Sequence, residues 1–419
     1  MLQKRNKKTI ENKTNKNKKY NLEDKQILKE IEQDKKFNTM DIKFMAISPE
    51  EIKKLEKEEE KNRRINEIKK LEKKREEKIM KLENEKNLDL QIEEKINNVY
   101  ENLNGLINLG NTCYMNTCLQ FLIHCKPFLN KLYKKIPTRV LSREFYNLCE
   151  LQANSQIANS PFKFKVNFAR KHLLYSNFNQ HDSQEFCRLL LDDMSRELNK
   201  IISLPKYEEI NEKLKDKFEI SKEFNRLFKQ REDSIIVDTF YFQILNIFEC
   251  KCGHKIYSFE NFLDLPLLFP EKTKETIIKL DELLELYFSQ EKIEWGLVCP
   301  GCNKKNVTHT KQSYFSSLPE ILIISLQRYN TKTNKKNDIV VDFVPNLQLF
   351  QYADRDLCNY EKYKLINVIN HKGKMNSGHY FSYVNIKGNW YEFNDSFCNP
   401  INIMKYCSST AYILIYQRE

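Results

Sequence analysis

The chain has 419 residues and a formal net charge of +12, and 40% of its residues are hydrophobic. It begins with a polar segment, and its longest apolar runs, such as Ile321–Leu326, are far too short to cross a bilayer, so we expect neither a secretory signal nor a membrane span. All twelve cysteines lie at or after Cys113. We therefore expect the cysteines to be reduced thiols, metal ligands or a catalyst rather than a disulfide framework. We also expect the protein to be located in the cytoplasm, the nucleus or both.

Residues 1–47 predict a basic, disordered tail. The first twenty residues carry eight Lys and Arg against one Glu, which is +7 of the total charge of +12. A segment this polar cannot bury a core. Its charge has two interpretations: a tail that keeps the protein in solution, or an electrostatic contact with nucleic acid or another acidic partner.

Residues 48–98 predict a long charged helix. Ser48 is a helix cap, Pro49 suits the first helical position, and Glu51 completes a capping box. The residues that follow are mainly Glu, Lys, Arg and Asn, and the apolar ones keep helical spacing only in patches. This pattern favours a solvated helix with many salt bridges, and the alternative is a coiled coil or a partner-binding helix.

The sequence segment that begins at Gly105 predicts that Cys113 is a nucleophile. Cys113 follows a glycine-bearing turn and begins an apolar helix. A helix N-terminus stabilises negative charge, so it favours the thiolate, which is the reactive form of cysteine. Asn108 lies five residues before Cys113, and its amide, together with the backbone N–H of Cys113, is the expected oxyanion hole.

A histidine far along the chain completes a catalytic pattern. His379 begins a strand-like alternation, and a short turn at 387–389 leads to a second strand that reaches Asn394. This hairpin predicts that Asn394 lies beside His379, with Asp395 able to assist or replace it. Because the order Cys, His, Asn is typical of cysteine proteases, we predict Cys113 as the nucleophile and His379 as the general base and then the acid.

The two runs resemble the Cys box and the His box of the ubiquitin-specific proteases. Further segments match that family in the same order, and they are Gln180–Phe186, Asp264–Leu267 and Leu318–Tyr329. The resemblance implies a papain-like α+β fold shaped as a right hand. A catalytic domain at 101–419 would then comprise a thumb (about 105–235), fingers (about 236–318) and a palm (about 319–419).

The resemblance also implies an activity. It is that of a deubiquitinating thiol protease, which hydrolyses the bond after the C-terminal glycine of ubiquitin through a thioester on Cys113. Ubiquitin and ubiquitinated proteins are the implied partners. The residues implied to hold the arginine-bearing tail of ubiquitin are Asp182, Gln184, Glu185 and Tyr380. The alternatives are a ubiquitin-binding scaffold with weak catalysis and a protease for another ubiquitin-like modifier.

Two cysteine pairs predict a structural zinc site. Cys299 and Cys302 flank a tight glycine turn, as in one half of a zinc knuckle. Cys250 and Cys252 lie where the resemblance implies the other half, but their C-x-C spacing departs from the usual C-x-x-C. Either Cys250 reaches the metal through a local bulge, or His254 replaces it.

Overall fold

The computed structural model describes residues 48–419, apart from 212–213, 215, 271–274, 295–297, 331–334, 360, 375–376 and 403. The predicted basic tail at 1–47 lies outside the described residues. The chain divides into two compact units, with the boundary between Asn84 and Glu85. Among the described residues, no helix combines the length and the apolar character needed to cross a bilayer.

Helices precede most of the strands along the chain. The α-helices are α1 Pro49–Tyr100, α2 Cys113–Ile123, α3 Lys126–Lys134, α4 Val140–Asn154, α5 Phe162–Lys171, α6 Ser183–Leu198, α7 Lys217–Lys229, α8 Val237–Phe240 and α9 Leu280–Tyr287. Short 3-10 turns lie at Leu173–Ser176 and Phe350–Tyr352.

The strands are β1 Phe242–Cys250, β2 Lys255–Phe262, β3 Leu265–Leu268, β4 Ile277–Lys279, β5 Glu291–Ile293, β6 His309–Ser317, β7 Ile321–Gln327, β8 Tyr329–Asn330, β9 Lys335–Lys336, β10 Val340–Asp342, β11 Asn346–Gln348, β12 Lys362–Lys374, β13 Ser377–Ile386, β14 Asn389–Asn394, β15 Phe397–Ile401, β16 Cys407–Ser408 and β17 Ala411–Arg418.

Helix α1 begins where the sequence predicts. The Glu51 backbone N–H donates to Ser48 Oγ at 3.3 Å, and the Ser48 N–H donates to the Glu51 carboxylate at 3.0 Å, which is the reciprocal pattern of a capping box. In the first unit, Leu71 is 66% exposed. In the second unit, Ile96 and Val99 are buried in an apolar core. The helix is therefore solvated along its charged part and packed at its end.

The largest sheet has a buried centre. Its strand order is β15-β14-β13-β12-β17-β7-β3, and β11 pairs with β12. Along β7, Ile321 and Ile323 join the core that contains α2 to α6, whereas Leu322 and Ile324 join a second core on the opposite face. A strand covered on both faces reads as a continuous apolar run, and this explains the sequence of β7.

A separate sheet carries the cysteine pairs. It has the order β2-β1-β6-β5, with antiparallel pairing throughout. Strand β1 ends at Cys250, beside the turn that contains Cys252. The fold is thus α+β, as predicted. The names thumb, fingers and palm denote residues 105–235, 236–318 and 319–419.

Candidate active site

Cys113 is the first residue of α2 and follows a tightly turned loop. Gly110 and Asn111 both have left-handed backbone conformations, with φ of 93° and 54°. The backbone N–H groups of Gly110 and Thr112 donate to Asn108 Oδ1, each at 3.0 Å. The loop thus holds a thiol that is 3% exposed at a helix N-terminus, where backbone N–H groups can bind a developing negative charge.

Strands β13 and β14 form the hairpin that the sequence predicts. They pair in antiparallel register, and the turn residues Lys387 and Gly388 have φ of 52° and 89°. Positive φ at both central residues belongs to the tight turns whose twist matches that of the flanking strands. At the open end of the hairpin, His379 Nε2 lies 2.7 Å from Asn394 Oδ1.

The imidazole of His379 pairs with the thiol of Cys113. The hydrogen bond with Cys113 is the main cause that raises the pKa of His379 from 6.5 to about 9, while burial acts in the opposite direction. Contacts with Asn394 and the charge of Asp395 also raise this pKa. Because Asn394 occupies Nε2, Nδ1 is the ring nitrogen that remains for the thiol. The raised pKa favours the imidazolium form, which can pair with a thiolate.

Asp395 links the cysteine loop to the histidine hairpin. Asn108 Nδ2 donates to Asp395 Oδ2 and Asn116 Nδ2 donates to Asp395 Oδ1, both at 2.8 Å. The Leu106 N–H donates to the backbone oxygen of Asp395, also at 2.8 Å. The carboxylate is 4.0 Å from His379 Nε2, which is too long for a hydrogen bond. Asp395 therefore acts on the imidazole through its charge and holds the Asn108 amide directly.

Gly105 allows these two segments to meet. A Cβ atom at this position would lie 2.3 Å from the backbone oxygen of Asp395 and 2.3 Å from the carbonyl carbon of Ser396. The Cβ atom of any other residue would push the backbone at position 105 away from the backbone at Asp395 and Ser396, so this close approach requires glycine.

Two amide side chains position the site although the sequence did not identify them. Gln180 donates to the Gly378 carbonyl and accepts from the Gly378 N–H, both at 2.8 Å, and so fixes the residue before His379. Asn116 lies three residues after Cys113, on the same helix face, and that spacing could have identified it. For Gln180, the only feature of the sequence that pointed to the site was its place in the segment that matches the family.

The residues predicted to hold a ubiquitin tail lie at different depths. Asp182 caps α6, since its Oδ1 accepts from the N–H groups of Gln184 at 2.7 Å and Glu185 at 3.0 Å. Its Oδ2 accepts from the Tyr412 hydroxyl. Tyr380 is 5% exposed and packs against the Tyr412 ring. Among the four, Glu185 is the exposed one, and all four tail-binding roles stay predictions.

Four thiols meet in the fingers. Cys250 Sγ is 4.0 Å from Cys302 Sγ, and Cys252 Sγ is 3.5 Å from Cys299 Sγ. All four sulfur atoms lie within 4.8 Å of one another. Tetrahedral bonds of about 2.3 Å to one zinc ion would separate the sulfurs by about 3.8 Å. The four cysteines therefore form a potential metal site with dimensions that fit zinc.

Cys250 rather than His254 completes this set. The Cys250 N–H donates to the His254 carbonyl at 2.9 Å, so a tight turn returns the chain and brings Cys250 to the other thiols. The His254 ring lies against Gly301, where a Cβ atom would be 2.8 Å from His254 Cγ. The histidine thus packs beside the second cysteine pair without joining the thiol cluster.

Known proteins match this chain over the same region. The model of the ubiquitin carboxyl-terminal hydrolase family matches residues 104–416. Ubiquitin carboxyl-terminal hydrolase 4 of Saccharomyces cerevisiae (strain YJM789) is 31% identical over 364 residues, which cover 75% of this chain and 39% of the yeast protein. Ubiquitin carboxyl-terminal hydrolase 2 of Gallus gallus is 32% identical over 341 residues, which cover 76% of this chain and 94% of the chicken protein.

A solved structure shares the fold. It is the SAGA DUB module that contains Ubp8 and is bound to monoubiquitin, with a TM-score of 0.61 and 23% identity over 76% of this chain and 69% of the other. The family match covers most of the chain, and the chicken protein is matched over almost its whole length. The chain therefore belongs to the ubiquitin carboxyl-terminal hydrolase family.

Proposed function

We propose that this chain is a deubiquitinating thiol protease. It hydrolyses the isopeptide or peptide bond that follows the C-terminal glycine of ubiquitin. The observation that carries this proposal is the set of three side chains at the site: Cys113 begins a helix, His379 Nε2 lies 2.7 Å from Asn394 Oδ1, and interaction with Cys113 raises the pKa of His379. Membership of the family supports the choice of ubiquitin as the substrate, and relatives are named for this hydrolysis.

In the first half of the reaction, the Cys113 thiolate attacks the carbonyl carbon of the terminal glycine. The C–S bond forms, the C–N bond breaks, and the His379 imidazolium gives its Nδ1 proton to the leaving amine. Asn394 orients the ring for this transfer. The product is a thioester that joins ubiquitin to Cys113, together with a free amine on the substrate.

The oxyanion of each tetrahedral intermediate needs donors. One N–H of the Asn108 amide points to Asp395, and the second, with the backbone N–H of Cys113, is available for the oxyanion. In the second half of the reaction, neutral His379 takes a proton from water, which attacks the thioester and releases ubiquitin with a free carboxylate. Cys113 leaves as the thiolate and is ready for another cycle.

The direct test is hydrolysis of ubiquitin 7-amido-4-methylcoumarin by the full chain. We expect turnover, and we expect a ubiquitin propargylamide probe to label Cys113, as located by mass spectrometry. Binding of ubiquitin without turnover or labelling would favour a scaffold instead. A parallel panel of probes built on other ubiquitin-like modifiers tests the remaining alternative, since faster labelling by one of them would reassign the substrate.

The pH profile should report the His379–Cys113 pair. The pKa of His379 is raised to about 9, so we expect kcat/KM for the coumarin substrate to fall as the pH rises through about 9. The raised pKa of His379 contributes stability to the folded state that is fully present below pH 6.5 and is lost as the pH rises through about 9. If kcat/KM instead fell as the pH rose through about 6.5, the pKa of His379 would be at its ordinary value, and the thiol would not stabilise the imidazolium form.

We also propose that the four-cysteine cluster holds a structural zinc ion. Zinc bound by four thiolates has no open position for substrate, so its contribution is to hold together the two cysteine turns of the fingers. The sulfur distances of 3.5 and 4.0 Å support this assignment. The bond cleavage itself is assigned to Cys113 and His379.

Loss of one zinc ligand should destabilise the protein. We expect Cys299→Ser to reduce the zinc content from about one ion per chain, as measured by mass spectrometry of the metal. The free energy of unfolding should fall by about 3–4 kcal/mol, which is what a ligand contributes at roughly 100 to 1,000 times its dissociation constant. Cys407→Ser is the matched control, because that thiol is exposed and lies outside the cluster. Equal zinc content in both variants would contradict the assignment.

Three further proposals concern the segments outside the catalytic domain and the place of action. The charge of the tail, +7 within residues 1–20, supports an acidic or nucleic-acid partner.

Exposed apolar side chains on α1, such as Leu55 and Leu82, support pairing of this helix as a coiled coil. Action in the cytoplasm or nucleus fits the free thiols, which are the form expected in a reducing compartment.

A further inference from the structure

An open groove lies beside the catalytic histidine, lined by residues of the palm and by Gln180 of the thumb. It has a volume of about 680 Å³, and its lining includes Lys372, His379, Phe381, Tyr383, Glu392 and Asn394. The rings of Phe381 and Tyr383 are in contact, with centroids 5.5 Å apart, and form an apolar floor. Lys372 is exposed and Glu392 is half-buried, so charges of opposite sign border this floor.

Strand geometry puts the groove on one face of the sheet. Side chains alternate between the two faces of a strand, so His379, Phe381 and Tyr383 share a face of β13. Tyr380 and Ser382, which alternate with them, are buried on the other face. Glu392 and Asn394 share a face of β14 for the same reason. The groove is therefore continuous with the atoms that carry out the proposed reaction.

The groove lies on the side of the leaving group. The proton donor to the leaving amine must face that amine, and His379 forms part of the groove wall. The residues implied to bind the ubiquitin tail lie across the strand, where buried Tyr380 packs against Tyr412 and the Tyr412 hydroxyl donates to Asp182. The acyl part and the leaving part of a substrate extend in opposite directions from the bond that breaks. If those predicted residues hold the ubiquitin tail, the groove takes the other part of the conjugate.

The two charges stand at opposite corners of the groove. Lys372 is paired with His379 between β12 and β13, and Glu392 is paired with Tyr383 between β13 and β14. Four residues of β13 separate these two pairs, which corresponds to about 13 Å along the strand. Asn394 Nδ2 donates to the Glu392 carboxylate at 3.5 Å, so this acid lies next to the residue that orients the imidazole. The two outer strands are also about 10 Å apart, so the diagonal is about 16 Å, which an extended peptide of about five residues spans.

We propose that this groove binds the segment of the conjugated protein that carries the modified lysine, and that Glu392 and Lys372 select its charge. A basic side chain near the lysine pairs with Glu392, an acidic one pairs with Lys372, and an apolar one rests on Phe381 and Tyr383. The inference rests on the proposed function, and it adds the residues that recognise the charges flanking the modified lysine.

The test compares two isopeptide substrates of the full chain. In each, the C-terminal glycine of ubiquitin is joined to the central lysine of a peptide, which is flanked by arginines in one substrate and by glutamates in the other. The measured quantity is the ratio of kcat/KM for the arginine substrate to that for the glutamate substrate. We expect Glu392→Lys to lower this ratio by about fivefold or more, and Lys372→Glu to raise it by a similar factor. Both shifts should shrink at about 0.5 M salt, because exposed charges are screened.

Glu285→Lys is the matched control, since it makes the same charge change on an exposed residue of α9 outside the groove. An unchanged ratio in both groove variants would overturn the inference, as would an equal shift in the control. Lys372 is exposed, so Lys372→Glu keeps the test decisive if the Glu392 variant does not fold. Failure of the unaltered chain to release coumarin from the ubiquitin substrate would instead overturn the proposed function, and the inference with it.

Discussion

Replacing Cys113 by alanine should lower hydrolysis of ubiquitin conjugates by at least about 10⁴-fold, because the sulfur forms the acyl-enzyme and no other group replaces it. Alanine is small and favours helix, so α2 and its buried packing should persist. Ubiquitin should therefore still bind. Initial rates on ubiquitin 7-amido-4-methylcoumarin measure the first effect, and titration calorimetry with ubiquitin measures the second.

Cys149→Ala is the control for this experiment. Cys149 is also a fully buried thiol on a helix, but it lies on α4, and burial raises its pKa well above the usual value. It behaves as a small apolar side chain, so we expect turnover within about threefold of the unaltered chain. Turnover that survives in the Cys113 variant would assign the nucleophile to another residue.

Replacing Asp395 by asparagine should lower kcat by about 10² to 10³-fold, the loss typical of one oxyanion-hole donor, with little change in KM. The two carboxylate oxygens accept one amide each, from Asn108 and from Asn116. An asparagine offers one oxygen and one NH₂ group, so a donor would face a donor on one side. The left-handed φ of 50° is tolerated by asparagine, so the backbone should not change.

Steady-state kinetics and thermal unfolding should be measured together on the Asp395 variant. A loss of kcat with an unfolding midpoint close to that of the unaltered chain would identify Asp395 as a positioning residue. Asp356→Asn is the control, since that side chain is 62% exposed and lies away from the site. If the Asp395 variant retained full kcat, the proposed orientation of Asn108 would be wrong.

The sequence predicted those parts of the site that depend on local patterns. Cys113 begins a helix because an apolar helical run follows a glycine-bearing turn. The β13–β14 hairpin follows from a strand alternation on each side of Gly388, and it brings Asn394 to His379. The α+β class follows in the same way, since helical and strand-like segments differ in their period.

Contacts between distant segments could not be predicted in this way. Gln180 and Gly378 are 198 positions apart, and Asn116 and Asp395 are 279 apart, so no periodic pattern connects them. Both pairs depend on how the thumb packs against the palm sheet. The C-x-C spacing also left the fourth zinc ligand open. The turn that follows Cys250 decides it, because the turn geometry brings the thiol rather than the imidazole of His254 to the cluster.

The dependence of the Cys113 loop on Asp395 has a consequence for biosynthesis. At roughly 5–20 residues per second, the stretch between Cys113 and His379 takes on the order of 15–50 s to emerge from a ribosome. Throughout that interval the thiol lacks its imidazole, and Asn108 lacks the carboxylate that holds its amide. We therefore expect a nascent or prematurely terminated polypeptide that lacks His379 and Asp395 to be inert toward conjugates, because the site is assembled only after both residues have been synthesised.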